Sequence, residues 1–350
     1  MLLSYKNLII NENNSSDNFI AKEFEDLSLF EFGINCIRES NEEIMSILSN
    51  IMIESGYIVN EGFKDEFNKR FNFNYIVESI FKLFIKMIKK IYDKGKAIIL
   101  QILYDNKTII KYKSLIESYD KNLKVDFDHY NFTYLDKDIP SSSLNLSFSN
   151  EYEQLQDKLE NIGKTNNKEK IIFELNNLFN QIQEEINHGY YDKIRKSVLA
   201  IEDYEDVIFE DQYDIALRRF FRNGLDIPNR NDITYDEIHQ SLNRFLKGKD
   251  MIKSIENHQK SIEDAANKAK KSINKISVKS IMSSYKPIDY DIEFNLNRVL
   301  KLKCGQIAEC CNIYTLAFSA KLDAVKSCLV QDKKILFRVI ADIISNGGTI

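Results

Sequence analysis

NFNYIVESIFKLFIKMIKKIYDKGKAIILQIL, residues 72–103, is the stretch that decides the fold. Ile80, Leu83, Phe84, Met87, Ile88 and Ile91 recur at spacings that place them along one side of a 3.6-residue helix. Lys82, Lys86, Lys89, Lys90 and Lys96 fall on the other side. A segment so divided predicts a long amphipathic helix with its apolar side in a core and its lysines in water.

Outward from this segment the same periodicity continues. Leu29, Phe32, Cys36, Ile37, Ile44, Ile47, Leu48 and Ile51 predict a helix from about residue 28, closed off by Gly56 and Gly62. Residues 1–27 read as a polar, Asn-rich leader. A short break near Asp105 precedes a further helix over about 105–118. LKVDFDHYNFTY (123–134) alternates apolar and polar positions and is the best strand candidate. IPSSSLNLSFSN (139–150) reads as a linker, which divides an N-terminal helical subdomain (28–138) from a C-terminal bundle (151–350). In that bundle, helices are predicted near 151–162, 168–187, 190–199 and 203–223. A long helical pattern from Tyr235 to Ile276 follows, with Thr234 as N-cap. Its tail, ENHQKSIEDAANKAKKSINK, is sparse in large apolar residues and predicts a solvated hairpin arm within 235–285. A last helix or helix pair runs from about Asp291 to Ser345 and stops at Gly347-Gly348.

The bulk numbers agree with a helical protein. Of 350 residues, 43% are hydrophobic and 29% charged, enough for a packed core, and 11 Gly and three Pro leave few tight turns. The charge, 48 basic against 53 acidic residues, gives no bulk case for nucleic-acid binding. No 18-residue apolar run suggests a transmembrane helix, and the N-terminal residues lack the pattern of a secretory signal. The overall expectation is a mainly α, elongated multi-helix bundle with at most a small β element near 123–134.

Chemistry is sparsely encoded. The four histidines, His129, His188, His239 and His258, lack a metal-ligand partner one turn away. Cys36, Cys304, Cys310, Cys311 and Cys328 lack paired C-x-x-C spacing and read as reduced, buried thiols. Asp126, Asp128 and His129 lie close together on the candidate strand, where the two carboxylates share a face. A solvated strand face explains them as well as an ion site does. The acidic run 201–214 precedes Arg218, Arg219 and Arg222, an order that suits a helix dipole. No phosphate-loop, dinucleotide, nucleophile-elbow or zinc-protease motif occurs. No catalytic residue, cofactor or metal is therefore expected. The lysine side of 76–103 is the candidate interaction face: an ordinary bundle helix in water, or a surface for anionic membrane or nucleic-acid phosphates.

The order of segments also resembles a known group. YIVESIFKLFIKMIKKIYDKGKAIILQILYDNKTIIKYKSLI comes first, then LKVDFDHYNFTYLDKDIP, DIALRRFFRNGLD, DMIKSIENHQKSIEDAANKAKKSI and the closing AFSAKLDAVKSCLVQDKKILFRVI. This order, over roughly residues 30–340, resembles virion structural proteins of large myophages of low-GC Gram-positive bacteria. The resemblance implies a non-enzymatic component of the particle, internal to or associated with the head. It implies several copies, contacting capsid, portal or tail proteins. It also implies trimming after a Glu in an apolar-x-Glu context, which Ile37-Arg38-Glu39 and Ile76-Val77-Glu78 both fit. The alternative is a membrane-active or nucleic-acid-associated protein working through 76–103.

Overall fold

The computed structural model describes residues 28–55, 73–104, 106–124, 133–134, 136–199, 217, 220–223, 232–274, 281, 284–285 and 290–347. Its main elements are α1 (Leu29–Ser55) and α2 (Phe73–Tyr104), then the short α3 (Asn106–Lys111) and α4 (Lys113–Glu117). After β1 (Leu123–Lys124) and β2 (Thr133–Tyr134) come α5 (Ser141–Gly163), α6 (Lys168–Asn187) and α7 (Tyr190–Leu199). The chain continues through β3 (Arg222–Asn223), β4 (Asp232–Ile233), α8 (Tyr235–Leu246) and α9 (Gly248–Ile273) to α10 (Tyr290–Ser345). The fold is mainly α with a small β element, as the sequence predicts.

The organising element is α10, 56 residues without a break. No position from 306 to 332 is exposed. At the usual helical rise that is about 40 Å of helix surrounded on every side. α1, α2, α6, α7, α8 and α9 all pack on it. A helix enclosed this way has no polar face, so its sequence lacks the division that marks 72–103. Small residues, Ala317, Ser319, Ala320 and Ala324, let neighbouring helices come close. At Gly33 of α1 a Cβ would stand 2.6 Å from the Ser319 Cβ, so only glycine fits there. α10 ends ahead of Gly347, whose φ of 84° is a left-handed conformation that favours glycine.

α2 behaves as its pattern predicts. Ile76, Ile80, Phe84, Ile88, Ile91 and their neighbours are buried, and α10, α9 and α1 cover them. α8 starts at the expected cap: the Thr234 side chain accepts from the Glu237 N–H, and Glu237 in turn accepts from the Thr234 N–H at 2.8 Å.

Three expectations need correction. Residues 139–150 are not a linker, since α5 begins at Ser141 and continues to Gly163. Their Ser/Asn composition argues against helix, but Leu144, Leu155 and Leu159 are buried and α5 packs along α9, which outweighs local propensity. Residues from both expected subdomains share one hydrophobic core. The solvated arm is likewise absent. α9 buries Ile252, Ile255, Ile262, Ala265, Ala266, Ala269 and Ile273 against α5 and α2. Alanines that look too small to form a core face are what allow that close approach. The helix over 235–276 is in fact two, broken at Lys247.

The β element consists of two short antiparallel pairs. β1 pairs antiparallel with β4 (Leu123 with Ile233), and β2 with β3 (Thr133 with Asn223). Arg222 and Asn223, expected at the end of a helix over 203–223, form that strand. Asp126, Asp128, His129 and the acidic run 201–214 lie outside the described residues.

Candidate functional site

The five lysines do not form one uniform face. Lys82, Lys86, Lys89 and Lys90 are exposed along α2, while Lys96 is half-buried, its ammonium 5.4 Å from the Tyr92 ring. Lys90 reaches across to Glu39 of α1 at 2.9 Å, and that hydrogen bond holds the Lys90 pKa above its ordinary value. Lys94, also on α2, sits 4.0 Å over the Phe32 ring. Lys82, Lys86 and Lys89 make no ion pair among the described residues. The apolar side of α2 is already spent in the core, so the helix cannot enter a bilayer without leaving the fold. What it offers is a rigid row of positive charge.

A second cluster joins segments that no sequence motif links. Lys321 of α10 is fully buried. Its ammonium donates to the Lys137 carbonyl at 2.9 Å and lies 2.9 Å from His258 Nδ1. Asp136 and Asp138 supply carboxylates at 3.3 and 3.5 Å. His258 of α9 turns Nε2 to the Ile139 backbone, 3.1 Å from its carbonyl and 2.9 Å from its N–H. Nε2 accepts the Ile139 N–H, while Nδ1 lies beside both the Lys321 ammonium and the Asp138 carboxylate, the latter at 3.4 Å. Burial, and then the adjacent Lys321 ammonium, push His258 down to about 4. Ser254 donates to Asp136 at 2.9 Å, and the Tyr314 hydroxyl donates to the Pro140 carbonyl at 3.1 Å. Residues 136–140 are thereby pinned to α9 and α10 immediately before α5 starts.

This cluster gathers a lysine, an imidazole and two carboxylates, and the Asp138 side chain stays largely exposed at its edge. The lysine and the imidazole are both committed to the segment they hold. The open cleft beside it, about 580 Å³, is lined by Asp138, Ser141, Asp250, Asn257 and Ser261 among others. Ser141 and Ser261 are already hydrogen-bonded to each other at 2.7 Å.

Other buried charges on α10 have similar duties. Asp332 is fully buried and accepts two bonds from Arg244 of α8, at 2.6 and 3.0 Å. Burial raises the Asp332 carboxyl pKa, and the Arg244 fork opposes that rise. Asp323 accepts the Leu29 N–H at 2.9 Å, which caps the start of α1. All five cysteines are free and buried, as expected, and burial raises the Cys304 and Cys311 thiols. Among the described residues no three His, Cys, Asp or Glu side chains gather as metal ligands. No helix among them is long and apolar enough to cross a membrane.

No family model, curated protein or solved structure matches this chain.

The cluster around Lys321 escaped the sequence because its members are 136–138, 258 and 321. One signal was present: Lys321, Asp323 and Lys326 interrupt an otherwise small and apolar stretch, and a charge inside a surrounded helix must find a partner.

Proposed function

We propose that this chain is a non-enzymatic structural component of a tailed bacteriophage particle, internal to or associated with the head. It docks on other virion proteins through outward helix faces. The observation that carries this reading is the α2 row, Lys82, Lys86 and Lys89, set outward on a helix whose other side is locked in the core. Such a row is positioned by the fold rather than by a flexible loop, which favours docking over chemistry. The buried polar groups support the same reading, because Lys321, His258, Asp332 and Arg244 are consumed in holding elements together. The order of segments that resembles myophage virion proteins supplies the particle.

The apolar-x-Glu tripeptides fall inside helices. Glu39 is paired with Lys90, and Glu78 of α2 with Lys270 at 2.7 Å. Trimming at either would first require local unfolding of α1 or α2.

Mass spectrometry of purified virions tests the proposal. The chain is expected among the particle proteins at more than one copy. Its absence from particles made by a phage that expresses it overturns the reading.

A further inference from the structure

The outward side of α1 and α2 carries two stripes of opposite charge. On α1, Glu31, Glu39, Glu42 and Glu43 are exposed, with Arg38 among them. On α2, Lys82, Lys86, Lys89 and Lys90 are exposed, with Glu78 and Asp93. Glu78 is taken up by Lys270. The same two helices expose large apolar side chains: Met45, Tyr75, Leu100 and Tyr104 are 59, 58, 43 and 76% exposed. Leu100 lies five helical turns from Lys82 and therefore on the same stripe.

The two helices run antiparallel. Phe32 lies under Lys94, and Glu39, further along α1, meets Lys90, earlier on α2. One turn further in each direction, Glu43 comes level with Lys86. The face therefore has a defined register as well as both signs of charge.

That combination selects among partners. A polyanion such as nucleic acid would meet Glu39, Glu42 and Glu43 beside Lys86, Lys89 and Lys90. A membrane would need the apolar side of α2, which is buried. A surface with matched acid and base stripes fits best against its own copy.

We propose that the α1–α2 face is the contact between two copies of this chain, related by a twofold axis parallel to the two helices. Rotation about that axis lays α2 of one copy over α1 of the other, antiparallel and at the level the two helices already share within one chain. Lys86 and Lys89 of each copy then face Glu42 and Glu43 of the other, and every contact occurs twice. Exposed ion pairs contribute little by themselves. Met45 and Tyr75 supply apolar area for the contact, and the charges set its register and orientation. The contact needs no other virion protein, so it can hold or fail whatever becomes of the particle assignment.

Sedimentation velocity on the full chain tests it, over a micromolar concentration range at low and high salt. Wild type is expected to dimerise, more weakly at high salt. K82E/K86E/K89E and E42K/E43K are each expected to raise the dimer dissociation constant at least tenfold. An equimolar mixture of the two should form heterodimers, because both reversed stripes then face complementary ones. Circular dichroism checks that each variant is folded, and the single pair K86E and E43K replaces any that is not. A monomeric wild type, unchanged dimerisation in both variants, or folded variants that stay apart on mixing would each overturn the proposal. So would a monomeric wild type whose salt-dependent DNA binding is lost in K82E/K86E/K89E, which would make the row a phosphate contact.

Discussion

Acid should loosen this fold through one side chain, His258. Its ring is buried against the Lys321 ammonium, and its pKa falls to about 4, from an ordinary value near 6.5. The sign follows from proton counting. Above pH 6.5 the ring is neutral in both states and contributes no slope. Between 6.5 and about 4 the unfolded chain binds the proton and the folded one resists it, so stability falls as pH falls. Below about 4 both states are protonated and the loss stops growing. A difference of that size corresponds to about 3 kcal/mol, a sizeable part of the 5–15 kcal/mol typical of a folded domain. Carboxylates titrate in the same range, so the wild-type curve alone cannot isolate the ring. The comparison is with His258→Gln, which keeps a neutral amide at the position. Urea unfolding from pH 7 to pH 4 should show wild type losing about 3 kcal/mol more than the variant over that range. Parallel pH curves, or an NMR titration that places the His258 midpoint near 6.5, would refute the reasoning. Lys321→Met gives an internal check: with the ammonium gone, the His258 midpoint should rise, leaving burial as the main cause of the shift.

Three further outcomes follow from the packing. Arg244→Met leaves the Asp332 carboxylate buried and unpaired and should cost about 3–5 kcal/mol in urea unfolding; Arg244→Met with Asp332→Leu should recover most of it, and no recovery would mean that the charge is not the cause. Gly33→Val drives a side chain into Ser319, where a Cβ already stands 2.6 Å away, and should destabilise by about 1–3 kcal/mol, with Ser319→Ala or Ser319→Gly giving partial relief. The five cysteines are buried, so a thiol reagent such as DTNB should react at a rate that tracks unfolding; fast labelling of native protein by even one equivalent would contradict their burial.

What the sequence disclosed depended on how each helix is buried. α2 has one buried side, so its residues divide by period and both its extent and its lysine side are readable. α8 was readable at its start because a capping box is a local device, complete within Thr234–Glu237. α5 was misread because its Ser/Asn opening is judged locally, whereas the contacts that make it helical come from α9, about a hundred residues later. α9 was misread for the opposite reason: Ala265, Ala266 and Ala269 carry little hydrophobic signal yet allow the closest packing. The candidate face was legible as lysines, but not as one half of a pair of stripes. That needed α1 beside α2 and the register set by Lys90 and Glu39.

The buried charges of α10 extend that distinction. A helix surrounded on all sides by apolar neighbours could slide or rotate with little change in area buried, since hydrophobic burial is not directional. Asp323 on the start of α1, Lys321 on residues 136–138 and His258, and Asp332 on Arg244 remove that freedom. Lys321 and Asp323 act within one turn and Asp332 further along the helix, each on a different neighbour. Moving α10 by one residue would break all three at once and leave charges without partners in the core, at several kcal/mol each. By that argument, replacing Arg244 and Asp332 together with apolar residues of equal volume should cost little stability, whereas losing Asp323 also leaves the Leu29 N–H unpaired. Replacing all three contacts together should preserve helicity but broaden the amide NMR spectrum, as a core of alternative registers would. A sharp, singly dispersed spectrum from the triple replacement would show instead that shape alone, through contacts such as Gly33 on Ser319, holds α10 in place.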